Sequence, residues 1–393
     1  MFPPIVITFR SLGGYMKTIE VLFAFALAAA PGWAQCHKLA EVNTDKPEGQ
    51  LLQQAGQETD AAKKTALLEQ FASQYPQDEA AGWVYEQLLN AYVKDNQADK
   101  ALAVGDKLAA MPPECVETAQ QTLKAAEMKK DPDLVLKWSA KTAELAQKVV
   151  SSPQPTDADE VENWKARVDY ARQVNTYTEY SLYAMALQTT DSKKQIMLIE
   201  ALQQRNPKSE YLSKATDALF IAYQKAGAAD KAVALAQQVA ATGQPSEDML
   251  LVLTDDAAKK KDSDKVHAYS AKLVEVMSAK PKPEGIADAD WTKRKNTFIG
   301  LAYDMSGKQY FADGKLPQAD QELRKAQPLV EDNAAVKTEV LFFLGLANYK
   351  MEKIQDAVNF FRACVAVKGG SAALQAQANK NLTAIRTQYH GIK

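Results

Sequence analysis

Residues Leu88–Ala110 read LLNAYVKDNQADKALAVGDKLAA, and a close copy, LFIAYQKAGAADKAVALAQQVAA, follows 131 residues later at Leu219–Ala241. The two segments share 11 identities over 23 aligned positions. The same register continues from Lys129–Asp133 onto Lys260–Asp264. Ala, Leu, Lys and Gln dominate both copies, and these residues favour helix. A fixed internal shift of this kind indicates a duplicated module of several helices.

A finer period of about 34 to 38 residues lies within each module. The clearest copy spans Gly300–Asn333 and places bulky, small and turn residues at Tyr303, Gly307, Tyr310, Gly314, Ala319, Leu323 and Ala326. A small residue where two helices cross lets their backbones approach, and glycine or asparagine suits the left-handed turn that ends the first helix. Gly307 and Gly345 fit the crossing point, while Asn96, Gly227 and Gly314 fit the turn.

This spaced pattern resembles the tetratricopeptide repeat (TPR) family, whose unit is a helix, a tight turn and a second helix. Four copies match well, beginning near Gly82, Ser213, Gly300 and Thr338, and looser pairs fill 45–78, 116–149, 176–209 and 247–280. The resemblance implies eight helix pairs and one final helix. The expected fold is all-α, a right-handed α-solenoid of stacked TPR-like helix pairs with a C-terminal capping helix.

Proline-rich breaks divide the chain into modules. Loops at Pro153–Thr156 and Lys280–Gly285 interrupt helix, and we expect the next helices to begin near Trp164 and Trp291. The predicted division is a short N-terminal extension at 35–44, repeat modules at 45–152, 153–280 and 281–370, and a capping helix within 371–393.

The first 34 residues are typical of a signal peptide. Lys17 precedes the apolar run Val21–Ala30, and small residues at Gly32 and Ala34 suit cleavage before Gln35. Met16 fits this pattern better than Met1 as the start of the signal. No later segment is apolar enough to span a bilayer. We therefore predict an exported protein, periplasmic or secreted after cleavage near Ala34. A long, alanine-rich repeat chain with a signal of this kind is typical of bacteria.

Three cysteines are too few for a disulfide framework. Cys36 and Cys115 form the one attractive pair, because Cys364 falls at a core position of its repeat; whether they bridge is left open by the sequence. Lipidation of Cys36 would need a small residue before it, and Gln35 is not small.

Composition and motifs disfavour several functions. Charges nearly balance, with 47 basic and 49 acidic residues, so no excess draws the chain to nucleic acid. The three histidines are scattered, and no phosphate-binding loop or nucleophile triad is present. His37 at the third position after cleavage would suit Cu(II), but cyclisation of Gln35 would block the amine that such a site needs. We predict no catalytic residues, no cofactor and no metal site.

In TPR proteins the first helices of successive pairs line a concave face where extended peptides bind, so the resemblance implies a protein or peptide partner. The positions carried over by that resemblance are Trp83, Glu86, Asn90, Val93, Lys214, Asp217, Ile221, Gln224, Asp304, Lys308, Phe311, Phe342, Leu346 and Tyr349. The lysine that pairs with asparagine in carboxylate-clamp members is missing, because Glu86 precedes Asn90.

The resulting prediction is a non-catalytic scaffold of the cell envelope or secreted space that mediates protein-protein interaction through this face. One alternative is an envelope carbohydrate-binding or enzyme-associated subunit, with Trp83, Phe342 and Tyr349 stacking on sugar rings. Another is a glycan-acting enzyme, which would need a carboxylate pair facing a groove. The tyrosines at 170, 177, 180 and 183 share one helix face and suit either a helical core or a ligand platform.

Overall fold

A computed structural model describes residues 36–39 and 42–389, so the predicted signal peptide lies outside the described residues. The described part contains seventeen α-helices, one 3₁₀ turn and no strand. It divides into two compact units, an N-terminal unit that ends at Ala226 and a C-terminal unit that begins at Gly227. The all-α expectation is confirmed.

Nine helices form the N-terminal unit: α1 Pro47–Gln57, α2 Ala61–Gln74, α3 Ala81–Lys94, α4 Ala98–Ala109, α5 Val116–Lys129, α6 Pro132–Val150, α7 Ala158–Gln188, α8 Ser192–Arg205 and α9 Glu210–Lys225. Successive helices pack against each other, and α3, α5, α7 and α9 also contact one another in sequence. This alternation is the stacking expected of a helical-repeat solenoid.

Eight helices form the C-terminal unit: α10 Ala229–Thr242, α11 Glu247–Lys259, α12 Ser263–Ala279, α13 Asp288–Ala312, α14 Leu316–Ala326, α15 Ala334–Lys350, α16 Ile354–Ala366 and α17 Ala372–Gln388. A 3₁₀ turn, Gln327–Leu329, follows α14. Here α11, α13, α15 and α17 contact one another in sequence. The predicted final helix is confirmed, and α17 packs on α15 and α16.

Small residues lie where the two helices of a pair cross, at the positions that the sequence pattern predicts. A Cβ built on Gly345 would lie 2.6 Å from the Phe361 ring, and one on Gly307 would lie 2.7 Å from Cγ of Leu323. The facing alanines Ala319 and Ala357 are completely buried. The close helix crossing predicted from the repeat pattern is therefore present in α13–α14 and α15–α16.

Turns and caps preserve the duplicated register. Asn96 and its counterpart Gly227 both have left-handed backbones, with φ of 57° and 71°. Lys130 and its counterpart Lys261 are left-handed as well, with φ of 53° and 57°. Asp131 caps α6 by accepting hydrogen bonds from the backbone amides of Asp133 and Leu134. Local turn chemistry thus repeats after 131 residues, as the sequence copies do.

Two first helices are longer than the repeat predicts. The helix expected near Trp164 begins at Ala158 and runs unbroken to Gln188, so the start of the pair expected at 176 lies in the middle of α7. Asp157 accepts a hydrogen bond from the Asp159 amide and fixes this earlier start, and no Gly or Pro interrupts the segment. The helix expected near Trp291 begins close to it, at Asp288.

No helix among the described residues has the length and apolar character needed to cross a bilayer. The proposed boundaries at 152, 280 and 370 stay a prediction.

Candidate functional site: the first-helix face

The first helices of the N-terminal unit, α3, α5, α7 and α9, present one continuous set of side chains, which we call the first-helix face. Its members on the two central helices are buried or partly buried and mix aromatic, amide, carboxylate and basic groups: Glu117, Gln120, Lys124 and Glu127 on α5, and Tyr170, Tyr177, Tyr180 and Tyr183 on α7. Because these helices pack side by side, residues about 50 positions apart in sequence meet here.

Glu127 is the centre of this face. The Tyr177 hydroxyl donates to Oε2 of Glu127 at 2.5 Å, and the Ser181 hydroxyl donates to the other carboxylate oxygen. Burial raises the pKa of Glu127, while these two hydroxyl donors act in the opposite direction. Both oxygens therefore have partners across the α5–α7 contact, which fixes the two helices against each other.

The tyrosines act partly as packing residues and partly as surface. The Tyr170 hydroxyl donates to Oε1 of Gln120 at 2.8 Å. The Tyr180 and Tyr183 rings lie 5.8 and 5.4 Å from the Tyr211 ring of α9. Tyr211 is buried while Tyr170, Tyr180 and Tyr183 are partly exposed, so the stripe joins neighbouring first helices and also contributes to the surface.

Charges of both signs lie beside the tyrosines. Burial lowers the pKa of Lys124, and nearby Glu127 opposes that shift. Burial also raises the pKa of Glu117, with Arg167 favouring its charged form and Glu86 disfavouring it. Such a partly desolvated, mixed-charge surface can bind a polar segment by hydrogen bonds and ion pairs.

A short segment at the beginning of the described chain already lies on this face. The backbone amide of His37 donates to Oε1 of Glu86 at 3.0 Å, and its ring Nδ1 lies 2.8 Å from the same oxygen. A Cβ on Gly82 would lie only 2.4 Å from the His37 ring, so a glycine in α3 makes room for it. A disulfide joins Cys36 to Cys115, with Cα atoms 6.0 Å apart.

The predicted groove residues of α3 differ in exposure because this segment covers one of them. Asn90 is exposed and Trp83 and Val93 are partly exposed, whereas Glu86 is only 3% exposed because His37 covers it. Glu86 therefore lies beneath the N-terminal segment, and its role in binding a partner stays a prediction.

The predicted residues of α9 do form one open stripe. All four side chains are exposed: Lys214, Asp217, Ile221 and Gln224. Ile221 is 41% exposed, the one large hydrophobic residue so exposed among the described residues.

The C-terminal unit gives a second, smaller cluster on α13 and α15. Lys308 contacts Asp304 and Glu339, each at 2.8 Å. Asp304 is only 1% exposed, and its Oδ1 has no hydrogen-bond partner among the described residues. Burial raises the pKa of Asp304 to about 6, although Lys308 favours the carboxylate. Asp304 is thus part of the interior and not of an open groove.

Aromatic residues in this unit also differ in their exposure. Phe311 and Tyr349 are partly exposed, as is Leu346, but Phe342 is 7% exposed and packs against Phe343 and Phe361. A buried Phe342 cannot stack on a sugar ring, which corrects one of the three aromatics assigned to carbohydrate binding.

Several residues that shape the first-helix face and the second cluster have no signal in the repeat pattern. Glu127, Glu339 and Tyr211 matter because of their partners on neighbouring helices, and Gly82 because of His37. The tyrosine spacing on α7 was the available signal for the α5–α7–α9 cluster. No local pattern marked the other contacts.

Stacked helix pairs with small-residue crossings and left-handed turns define the fold of the described residues as an all-α helical-repeat solenoid. No protein-family model and no curated protein sequence matches it.

Solved structures to which it is similar include the APC/C hetero-tetramer Cut9-Hcn1, with 14% identity and a TM-score of 0.33, covering 86% of this chain and 56% of that chain. Yeast Tom70 has 12% identity and a TM-score of 0.34, with coverage of 90% and 66%. The P58(IPK) TPR domain has 14% identity and a TM-score of 0.26, with coverage of 88% and 100%. The chain thus spans less than two thirds of the Cut9 and Tom70 chains, and likenesses at these scores identify neither a partner nor an activity.

Proposed function

We propose that this protein is a non-catalytic interaction scaffold that binds an extended protein segment along its first-helix face. The observation that carries this proposal is the Cys36–His37 segment lying on α3. Its backbone amide donates to the Glu86 carboxylate, a contact that does not depend on the side chain of the bound residue. The same face continues over α5, α7 and α9, where carboxylates, tyrosines and lysines offer further hydrogen-bond acceptors and donors.

Location in an oxidising compartment is part of the proposal. The Cys36–Cys115 disulfide supports it, because such bonds persist mainly in exported proteins. The predicted cleavage before Gln35 would place Cys36 immediately after the new N-terminus. N-terminal sequencing of the chain recovered from the envelope or medium tests this, and a retained residue 16–34 segment would contradict it.

The binding proposal is tested by capture from envelope extract of cells that encode the chain, using the oxidised protein as bait. Ile221→Glu places a charge on the exposed stripe of α9, and Ala140→Glu places the same charge on an exposed position of the second helix α6. Because a charge at a desolvated contact costs about 1–3 kcal/mol, we expect roughly tenfold or greater loss of captured partner for Ile221→Glu.

Ala140→Glu is expected to capture as the wild type does. Equal capture by all three proteins would show that the partner binds elsewhere, and no specific capture by the wild type would remove the basis of the scaffold proposal. Circular dichroism of both variants checks that their helix content is unchanged.

A further inference from the structure

Four potential metal ligands converge where the N-terminal segment meets α3 and α5. One ligand atom each from Cys36, His37 and Glu86 lies within 4.8 Å of the others. Cys115 joins this group because its sulfur is bonded to that of Cys36. In the oxidised protein both sulfurs are committed to the disulfide and do not bind a metal.

The donor set changes when that bond is reduced. Two thiolates, one imidazole and one carboxylate are then available as ligands, a combination that suits tetrahedral Zn²⁺ with ligand bonds of about 2.0–2.3 Å. Hard cations such as Mg²⁺ prefer all-oxygen sites.

The protein surroundings favour binding at this point. Glu86 is nearly buried, and Nε2 of His37 is buried without a hydrogen-bond partner among the described residues. The ring nitrogen beside Glu86 is Nδ1, so an ion bound between them would replace the 2.8 Å contact of Nδ1 with Oε1 of Glu86. Gly82 leaves room for the His37 ring on α3.

We propose that the dithiol form of this protein binds one Zn²⁺ ion through Cys36, Cys115, His37 and Glu86. The ion would hold the N-terminal segment on α3 under reducing conditions, as the disulfide holds it under oxidising conditions. This site shares His37 and Glu86 with the first-helix face, but it needs no bound partner.

The chemistry balances with a phosphine reductant. The phosphine attacks one sulfur and breaks the S–S bond, water then supplies oxygen to give the phosphine oxide, and both sulfurs end as thiols. Binding of Zn²⁺ then releases the two thiol protons to solvent as the thiolates coordinate the ion.

The test compares oxidised and phosphine-reduced full chain, each titrated with Zn²⁺ against a chromophoric chelator. We expect one tightly bound equivalent for the reduced protein and none for the oxidised protein. Titration with Co²⁺ gives a second readout, since thiolate ligation produces a charge-transfer band and tetrahedral geometry produces intense visible absorption. Because both states come from the same wild-type chain, this comparison does not depend on the folding of a variant.

Variants then assign the ligands. Cys36→Ser and Cys115→Ser should abolish tight binding and the thiolate band, and Glu86→Gln or His37→Asn should weaken binding by roughly tenfold or more. Cys364→Ala and His267→Asn are matched controls that remove a cysteine and a histidine elsewhere and should bind as the wild type does. Absence of a stoichiometric site in the reduced wild type, or equal binding by Cys36→Ser, would overturn the proposal.

Discussion

Replacing Gly345 by alanine tests the close helix crossing on which the repeat depends. The added methyl group would lie 2.6 Å from Cδ1 and Cε1 and 2.9 Å from Cζ of Phe361. Favourable carbon contacts are about 3.5–4.0 Å, so the overlap is close to 1 Å. Phe361 is completely buried and cannot swing into solvent.

The expected magnitude is the difference of two effects. Overpacking a core costs about 1–3 kcal/mol, and this overlap with a buried ring belongs at the upper end. Alanine in place of glycine within a helix returns about 1 kcal/mol. We therefore expect Gly345→Ala to lower the free energy of unfolding of α15–α16 by about 2 kcal/mol.

Hydrogen–deuterium exchange of peptides from α15 and α16 measures this locally. A loss of that size should speed exchange of the most protected amides by roughly 30-fold. Gly56→Ala is the matched control, because nothing lies within 4 Å of the methyl position there. That change should slow exchange in α1, with a gain of about 0.5–1 kcal/mol.

The contact itself is tested by adding Phe361→Leu to Gly345→Ala. Removing the ring edge should relieve the overlap, so the double variant should cost less than the sum of the single changes. Unchanged or slower exchange in Gly345→Ala would refute the interpretation of this glycine as a crossing residue.

Three further predictions concern the clusters described above. Cys36→Ser or reduction in metal-free buffer should destabilise the N-terminal unit by up to about 4.5 kcal/mol, from the 79-residue separation it closes; unchanged thermal unfolding would contradict this. The pKa of Asp304 is about 6 when folded against 3.8 otherwise, so the folded state holds the extra proton and stability falls by about 2 kcal/mol as pH rises from 4 to 6. Urea titrations across that pH range should show a smaller fall in the free energy of unfolding for D304N than for the wild type. An equal fall in the two proteins would contradict this prediction. Tyr177→Phe removes a donor to the buried Glu127 carboxylate and should cost about 1–3 kcal/mol, seen as faster exchange in α5 and α7; unaltered exchange there would count against the contact.

Features that repeat along the chain could be predicted from sequence. Each helix pair places its residues in the same environment, so the crossing at Gly307 and the turns at Asn96 and Gly227 follow from comparing copies. The cap at Asp131 follows from local chemistry. The repeat length predicts a later start for α7 than the structure has, because the uninterrupted helix formers after Asp157 extend this helix toward the N-terminus.

Contacts between first helices could not be predicted in the same way. His37 meets Glu86 across 49 residues and Tyr177 meets Glu127 across 50, and no period relates them. The groove positions taken from the repeat family are all expected to be exposed. Asp304 is instead buried, since the first helix of the next pair packs beside it and brings Glu339 to Lys308.

Site-specific photo-cross-linking tests the central claim most directly. A photoreactive residue is placed at Asn90 or Ile221 on the first-helix face and, as a control, at Gln147 on an exposed position of the second helix α6. The binding proposal predicts that a partner segment is joined to the chain from Asn90 and Ile221 but not from Gln147. Equal yields at all three positions, or cross-links from Gln147 alone, would contradict it.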